Sequence, residues 1–239
     1  MGLKLTEYIQ FMEFNSKKEN LLLLDRDAPT PSEKEIIKDL PYKQGVLDFS
    51  MLLGDRVFKN REITYKFLLL KTSERDIYLF ETKLKQKLMR YGQQKIHDSH
   101  DPYYYWYGKC KSVKAERNST YNRLQVTIVF DCYPYMISHT NYFDDLWDVF
   151  DFDDDVANYT KYIVNGSLDF PLFNAGSVST RPDVIVDKKM IVTANGEDPI
   201  TFEPGDSKNF YLSLKPGVND IHVEGNGIIR FHFQSEVMG

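Results

Sequence analysis

The chain predicts a mainly β protein of two modules with one main helix, and three observations carry that prediction. Asn122 to Ile137 alternates Leu124, Val126, Ile128 and Phe130 against Arg123, Gln125 and Thr127, the period-2 pattern of a strand with one buried face. Pro134, which cannot donate to a ladder and biases Tyr133 away from helix, ends it. Ile77, Phe80, Leu84, Leu88 and Tyr91 instead fall on one helical face. Finally, the charge breaks: residues 1–136 carry 23 Lys and Arg against 18 Asp and Glu, a net of +5, whereas residues 137–239 carry 7 against 17, a net of −10. Opposite signs predict different neighbours, so the expected domains are 1–136 and 137–239.

Length and composition narrow the classes further. The 239 residues include 16 Tyr and 16 Phe, enough to build two modest cores. Cys110 and Cys132, on predicted strands, lack metal-site spacing and read as inert apolar side chains. No apolar run approaches a membrane span, and the N-terminus lacks the apolar stretch of a secretory signal, so the expectation is a soluble chain not exported by that route. Met1-Gly2 with Thr6 matches a myristoylation pattern too short to outweigh a plain strand start. Without a secretory signal, the triplets at Asn118, Asn158 and Asn165 are composition, not glycosylation.

Taken in order, residues 7–24 predict an N-terminal hairpin turning at Asn15-Ser16. Residues 25–45, broken by Pro29, Pro31 and Pro41, predict a mobile loop or an arm reaching onto a neighbour. Residues 45–70 predict a second hairpin through Gly54-Asp55. A helix over about 74–91 follows, capped by Thr72-Ser73, with Glu74 and Asp76 in its first turn and Gly92 beyond its end. Strands at about 103–115 and 124–132 complete an α+β first module. Residues 138–175 read as a connector with short helix-like stretches. The second module is then predicted as a β-sandwich with strands 184–186, 190–194, 200–202, 209–214, 220–224 and 227–234, turning at Asn195-Gly196, Pro204-Gly205, Lys215-Pro216-Gly217 and Gly225-Asn226-Gly227.

Chemistry-bearing motifs are weak. His97-Asp98-Ser99-His100-Asp101 holds every residue type of a hydrolase triad, yet five neighbours in one loop cannot face one another as a triad needs; a solvated helix-to-strand loop is expected. Asp151, Asp153 and Asp155 mimic the start of an EF-hand, but Val156 stands where Gly is required and Tyr162 where a bidentate Glu is required. The expected role of Asp151, Asp153, Asp154 and Asp155 is an acidic exposed face. In Tyr103 to Tyr107 alternate residues must be core and surface, and the exposed half, taken as Tyr104 and Trp106, suits a protein interface. Lys83, Lys85, Lys87 and Arg90 predict a solvated helix face; basic interleaving for nucleic acid and a phosphate-binding glycine loop are both lacking. No catalytic, cofactor or metal residue is assigned.

The order of parts resembles the distal tail proteins of siphophages, phages and prophages of Gram-positive bacteria. The resemblance lies in Gly45-Val46-Leu47-Asp48-Phe49-Ser50, Asn60-Arg61-Glu62-Ile63-Thr64-Tyr65-Lys66-Phe67, the following helix, Tyr103 to Lys109, Phe130-Asp131-Cys132-Tyr133-Pro134-Tyr135, Leu214 to Ile221 and Gly225-Asn226-Gly227. It implies a non-enzymatic protein of the virion tail tip, assembled in the host bacterial cytoplasm. The first domain would form a homohexameric ring joining the major tail tube protein to the tail-associated tip protein. A galectin-like or carbohydrate-module-like second domain would project outward and hold receptor-binding proteins. The expected ring contacts are Pro29, Pro31, Pro41, Phe49, Leu52, Val57, Phe58, Tyr104 and Trp106, and the outer docking face is the Asp151–Asp155 run. The alternative is a carbohydrate-binding module attaching to the cell surface through its second domain, although that half has no tryptophan after Trp147.

Overall fold

The computed structural model describes residues 6–52, 55–69, 77–118, 123–139 and 160–239. It is mainly β, and its contacts divide it into two compact units, residues 1–136 with Gly239, and residues 137–238.

In the first unit β1 (Ile9–Phe11) and β2 (Phe14–Asn15) make a tight hairpin, followed by β3 (Leu21–Asp27), β4 (Ile37–Asp39), β5 (Val46–Asp48), β6 (Arg61–Leu69), helix α1 (Ile77–Leu88), β7 (Gln94–Asp98), β8 (Tyr104–Asn118) and β9 (Arg123–Cys132). The main sheet runs β2-β1-β7-β8-β9-β6-β3, antiparallel throughout. The alternating stretch becomes β9, a central strand between β6 and β8, whose Leu124, Val126, Ile128, Phe130 and Cys132 are all buried. Facing residues of β6, Ile63, Tyr65 and Phe67, pair with them in register across the ladder. Helix α1 covers this core with Leu84 and Leu88, while Lys85, Lys87 and Arg90 pair with Glu81, Glu19 and Glu13, the solvated face its sequence predicts. Its predicted cap, Thr72 to Asp76, lies outside the described residues.

Several boundaries need correction. The first hairpin turns at Met12, which has a positive φ of 52°, not at Asn15-Ser16. Residues 45–70 are not one hairpin: β5 pairs with β4, and β6 pairs with β3 and β9. Strand β7 was not anticipated.

The second unit begins with β10 (Met136–Ser138) and continues with β11 (Lys161–Asn174), β12 (Asp183–Val186), β13 (Met190–Ala194), β14 (Ile200–Phe202), β15 (Gly205–Lys208), β16 (Gly217–His232) and β17 (Glu236–Val237). The sheet runs β14-β13-β16-β12-β15, with β11 along the other side of β16. Val164, Leu172, Val184, Val192, Phe202, Val223, Ile229 and Phe231 are among the residues of its single core. Two buried asparagines fix its loops: Asn219 accepts from the Lys215 N–H and donates to the Lys215 and Gly217 carbonyls, and Asn174 donates to the Val178 and Leu214 carbonyls.

Here too the sequence reading is corrected. Gly225-Asn226-Gly227 is not a turn between two strands but a bend inside β16. Before it β16 pairs with β13, after it with β12. Gly227 has φ 146°, and a Cβ there would lie 2.1 Å from Asp187 Oδ1, so only glycine fits where the strand changes partner. Residues 161–174 form a strand rather than a connector; Pro171 is tolerated because β11 is an edge. Asn209–Leu214 is loop, the local strand being β15. The Asn195-Gly196 turn does join β13 to β14, both residues at positive φ (52° and 70°).

Candidate subunit interface

Among the described residues of the first unit, exposed apolar side chains cluster on the hairpin β4–β5 and its flanks. Its base is a narrow clamp: the Lys34 N–H donates to the Val57 carbonyl at 2.7 Å, the Lys59 N–H to the Ser32 carbonyl at 2.8 Å, and Glu33 bridges Phe58. Arg56 adds an ion pair to Glu33 and lies 5.3 Å over the Phe58 ring. Beyond the clamp, Ile37, Lys38 and Asp39 face Asp48, Leu47 and Val46 in register. Ser50 closes the pair, its hydroxyl accepting from the Ile36 N–H and its own N–H donating to Asp48 Oδ1, both at 2.8 Å. Hydrogen bonds to Asp48 from Ser50, the hydroxyl first and then the N–H, hold its carboxyl below the ordinary range.

None of this hides the side chains. Ile36, Ile37, Leu40, Tyr42, Val46, Phe49, Met51, Leu52 and Val57 are all exposed, Leu52 at 76% and Tyr42 completely. An isolated two-stranded ribbon is marginal in water, and this one shows apolar side chains without a sheet behind them.

The root of this arm is anchored by charge. Arg26, at the end of β3, gives Nε to Asp98 Oδ2 at 2.8 Å and also pairs with Asp101. Tyr65 donates its hydroxyl to the same Asp98 oxygen at 2.7 Å, and the His100 N–H binds Asp98 Oδ1 at 3.0 Å. Burial works against the Arg26 charge, but Asp98 and Asp101 outweigh it and hold the guanidinium above its ordinary pKa. Burial, then the Asp98 charge, pushes the Tyr65 phenol well up. A second anchor is Arg61, whose Nη1 donates to the carbonyls of Pro29 (3.2 Å) and Gly239 (2.6 Å) while its guanidinium stacks 4.1 Å over Trp106.

These contacts sort the expected residues. Phe49, Leu52 and Val57 are exposed on or beside the arm, with Pro41 in its turn and Pro29 exposed at its root. Phe58 is half-buried, edge-on to Tyr135, and Tyr104 is half-buried on β8. Pro31 is buried, and Trp106, 1% exposed, is a core residue supporting Arg61 rather than a surface contact. The reading missed Ile36, Ile37, Leu40, Tyr42, Val46 and Met51. The signal was there: Ile36, Ile37 and Leu40 lie between Pro31 and Pro41, and Tyr42, Val46 and Met51 follow Pro41.

The His97–Asp101 cluster is a strand end and turn, not a solvated loop. Asp98 is buried, Ser99 Oγ accepts from the Tyr8 N–H at 2.8 Å, and burial with Lys95 lowers the His97 pKa. Each described partner is structural. Burial raises the thiols of Cys110 to about 11 and Cys132 to about 12, as inert side chains require. Asp151, Asp153, Asp154 and Asp155 lie outside the described residues. Seven of the 17 acids beyond residue 136 fall in 144–155, so residues 160–239 carry 10 acids against 7 bases. Among the described residues no helix is long and apolar enough to cross a membrane, and no cluster of His, Cys, Asp or Glu could hold a metal ion.

The chain has the fold of the Dit protein of phage SPP1, described as a paradigm of the hub of the adsorption apparatus in phages infecting Gram-positive bacteria. The TM-score is 0.64 at 14% identity, covering 96% of this chain and 99% of that one. Two structures of the phage p2 baseplate in its activated conformation, with Sr and with Ca, match at TM-score 0.43 and 10% identity, too distantly to carry an argument. They cover 95% and 96% of this chain, and 97% of each matched chain. No family model and no curated protein matches the sequence.

Proposed function

We propose that this chain is a structural component of a siphophage tail tip, whose first domain (1–136) closes into a hexameric ring. The ring joins the tail tube protein to the tip protein, and the second domain (137–239) carries receptor-binding components. The role is scaffolding, without catalysis, in the virion.

The observation that carries this reading is the exposed apolar arm, Ile36 to Val57, clamped at its base and without a sheet behind it. A ring closes by a heterologous contact, in which one patch of each subunit meets a different patch of the next. An arm clamped to its own subunit at the base and apolar at its tip supplies one such patch. The likeness to SPP1 Dit supports the same reading through the fold.

Electron microscopy of the purified full chain tests it. Closed six-fold rings are expected; two-fold dimers or open filaments would overturn it.

A further inference from the structure

The second unit carries an exposed corner made of Arg181, Phe210 and Tyr211. Strand β15 ends at Lys208, while Leu212 and Leu214 are buried, so the intervening residues cross the surface between fixed ends. Leu214 exchanges both backbone hydrogen bonds with Thr180 at 2.8 and 2.9 Å, and the Tyr211 N–H donates to Asn209 Oδ1 at 2.9 Å. Phe210 and Tyr211 are nevertheless 70% and 77% exposed. Their rings meet edge to face, 5.6 Å apart at 89°, and the Arg181 guanidinium lies 4.2 Å over Phe210. The three side chains hold one another, so ordering them on binding costs little entropy.

Arg181 makes no ion pair with a carboxylate among the described residues; nearby Asp183 is engaged by Lys208 at 3.3 Å. A stacked guanidinium keeps its in-plane N–H fork free, a geometry that matches a carboxylate. We propose that this corner docks an acidic, extended segment of a partner protein. A carboxylate sits on Arg181, and an apolar neighbour packs against Phe210 and Tyr211.

Tyr and Arg are the side chains that dominate binding energy at protein interfaces, and a stacked cation without a carboxylate partner among the described residues selects an acidic partner. Rings at right angles do not offer the flat double platform across which a saccharide lies. The inference concerns the second unit and is independent of the arm.

The test measures fluorescence anisotropy of a labelled peptide of alternating Glu and Leu titrated with the full chain. Saturable, salt-sensitive binding is expected, weakened roughly tenfold by Arg181→Gln and by Tyr211→Ala. Lys188→Gln, which removes an exposed charge elsewhere on the unit, leaves it unchanged. Absence of saturable binding, equal binding by all variants, or tighter binding of oligogalacturonate than of the peptide would each overturn the proposal. The sedimentation mass of the same samples, unchanged by these substitutions, separates a failure here from a failure of the ring.

Discussion

Two hairpins with similar sequence credentials end in opposite environments. In β13–β14, Met190, Val192 and Phe202 are buried beneath a sheet that continues into β16. In β4–β5, Ile37 and Val46 stay exposed because the ribbon has no third strand. An apolar side chain is a statement about burial somewhere, not about burial within its own chain. The first hairpin completes its core within its own sheet; the second leaves its apolar side chains exposed.

The largest expected effect lies at the arm's root. Asp98→Ala leaves Arg26 and the Tyr65 hydroxyl without their shared acceptor, and should destabilise the first unit by about 3–5 kcal/mol in denaturant unfolding. A loss under about 1 kcal/mol would mean the network is a bystander. The two hairpins are then compared directly. Phe202→Ala should cost about 3–5 kcal/mol of stability, as for a buried aromatic. Leu52→Ala should change stability by no more than about 0.5 kcal/mol yet weaken self-association measured by sedimentation. Equal stability losses at the two sites would erase the contrast.

The smallest effect is a pH dependence in the second unit. His222 places Nδ1 2.6 Å from Asp169 and Nε2 3.4 Å from Glu224, and these hydrogen bonds, Asp169 first, raise its pKa above 6.5. A raised folded-state value gives stability that is fully present below about pH 6.5 and is lost as pH rises through the folded value. Melting temperatures should therefore show His222→Gln less stable than the parent at pH 5.5 and equal to it at pH 8.5. The reverse order would contradict the pairing.

Much of the fold was legible because periodicity reports a buried face: period-2 alternation announced β6 and β9, helical spacing announced α1, and turn residues at intervals of about ten announced β12 and β13. Long-range geometry was not. Gly225 and Gly227 read locally as a turn, and only pairing with both β13 and β12 shows that β16 runs through them. Gly166 and Pro171 disguised β11, since an edge strand tolerates residues that a central strand rejects. At the interface, proline spacing located the arm but not its contacts. Trp106 shows why: alternation predicts one buried face, yet the consecutive Tyr105 and Trp106 are both buried, Trp106 with Arg61 stacked on it.

The most direct test is the mass in solution of the full chain beside a variant in which residues 36–51 are replaced by a short Gly-Ser link. A hexamer for the parent and a folded monomer for the variant are predicted. A multimer that survives loss of the arm, or a parent that stays monomeric at high concentration, would contradict the central claim.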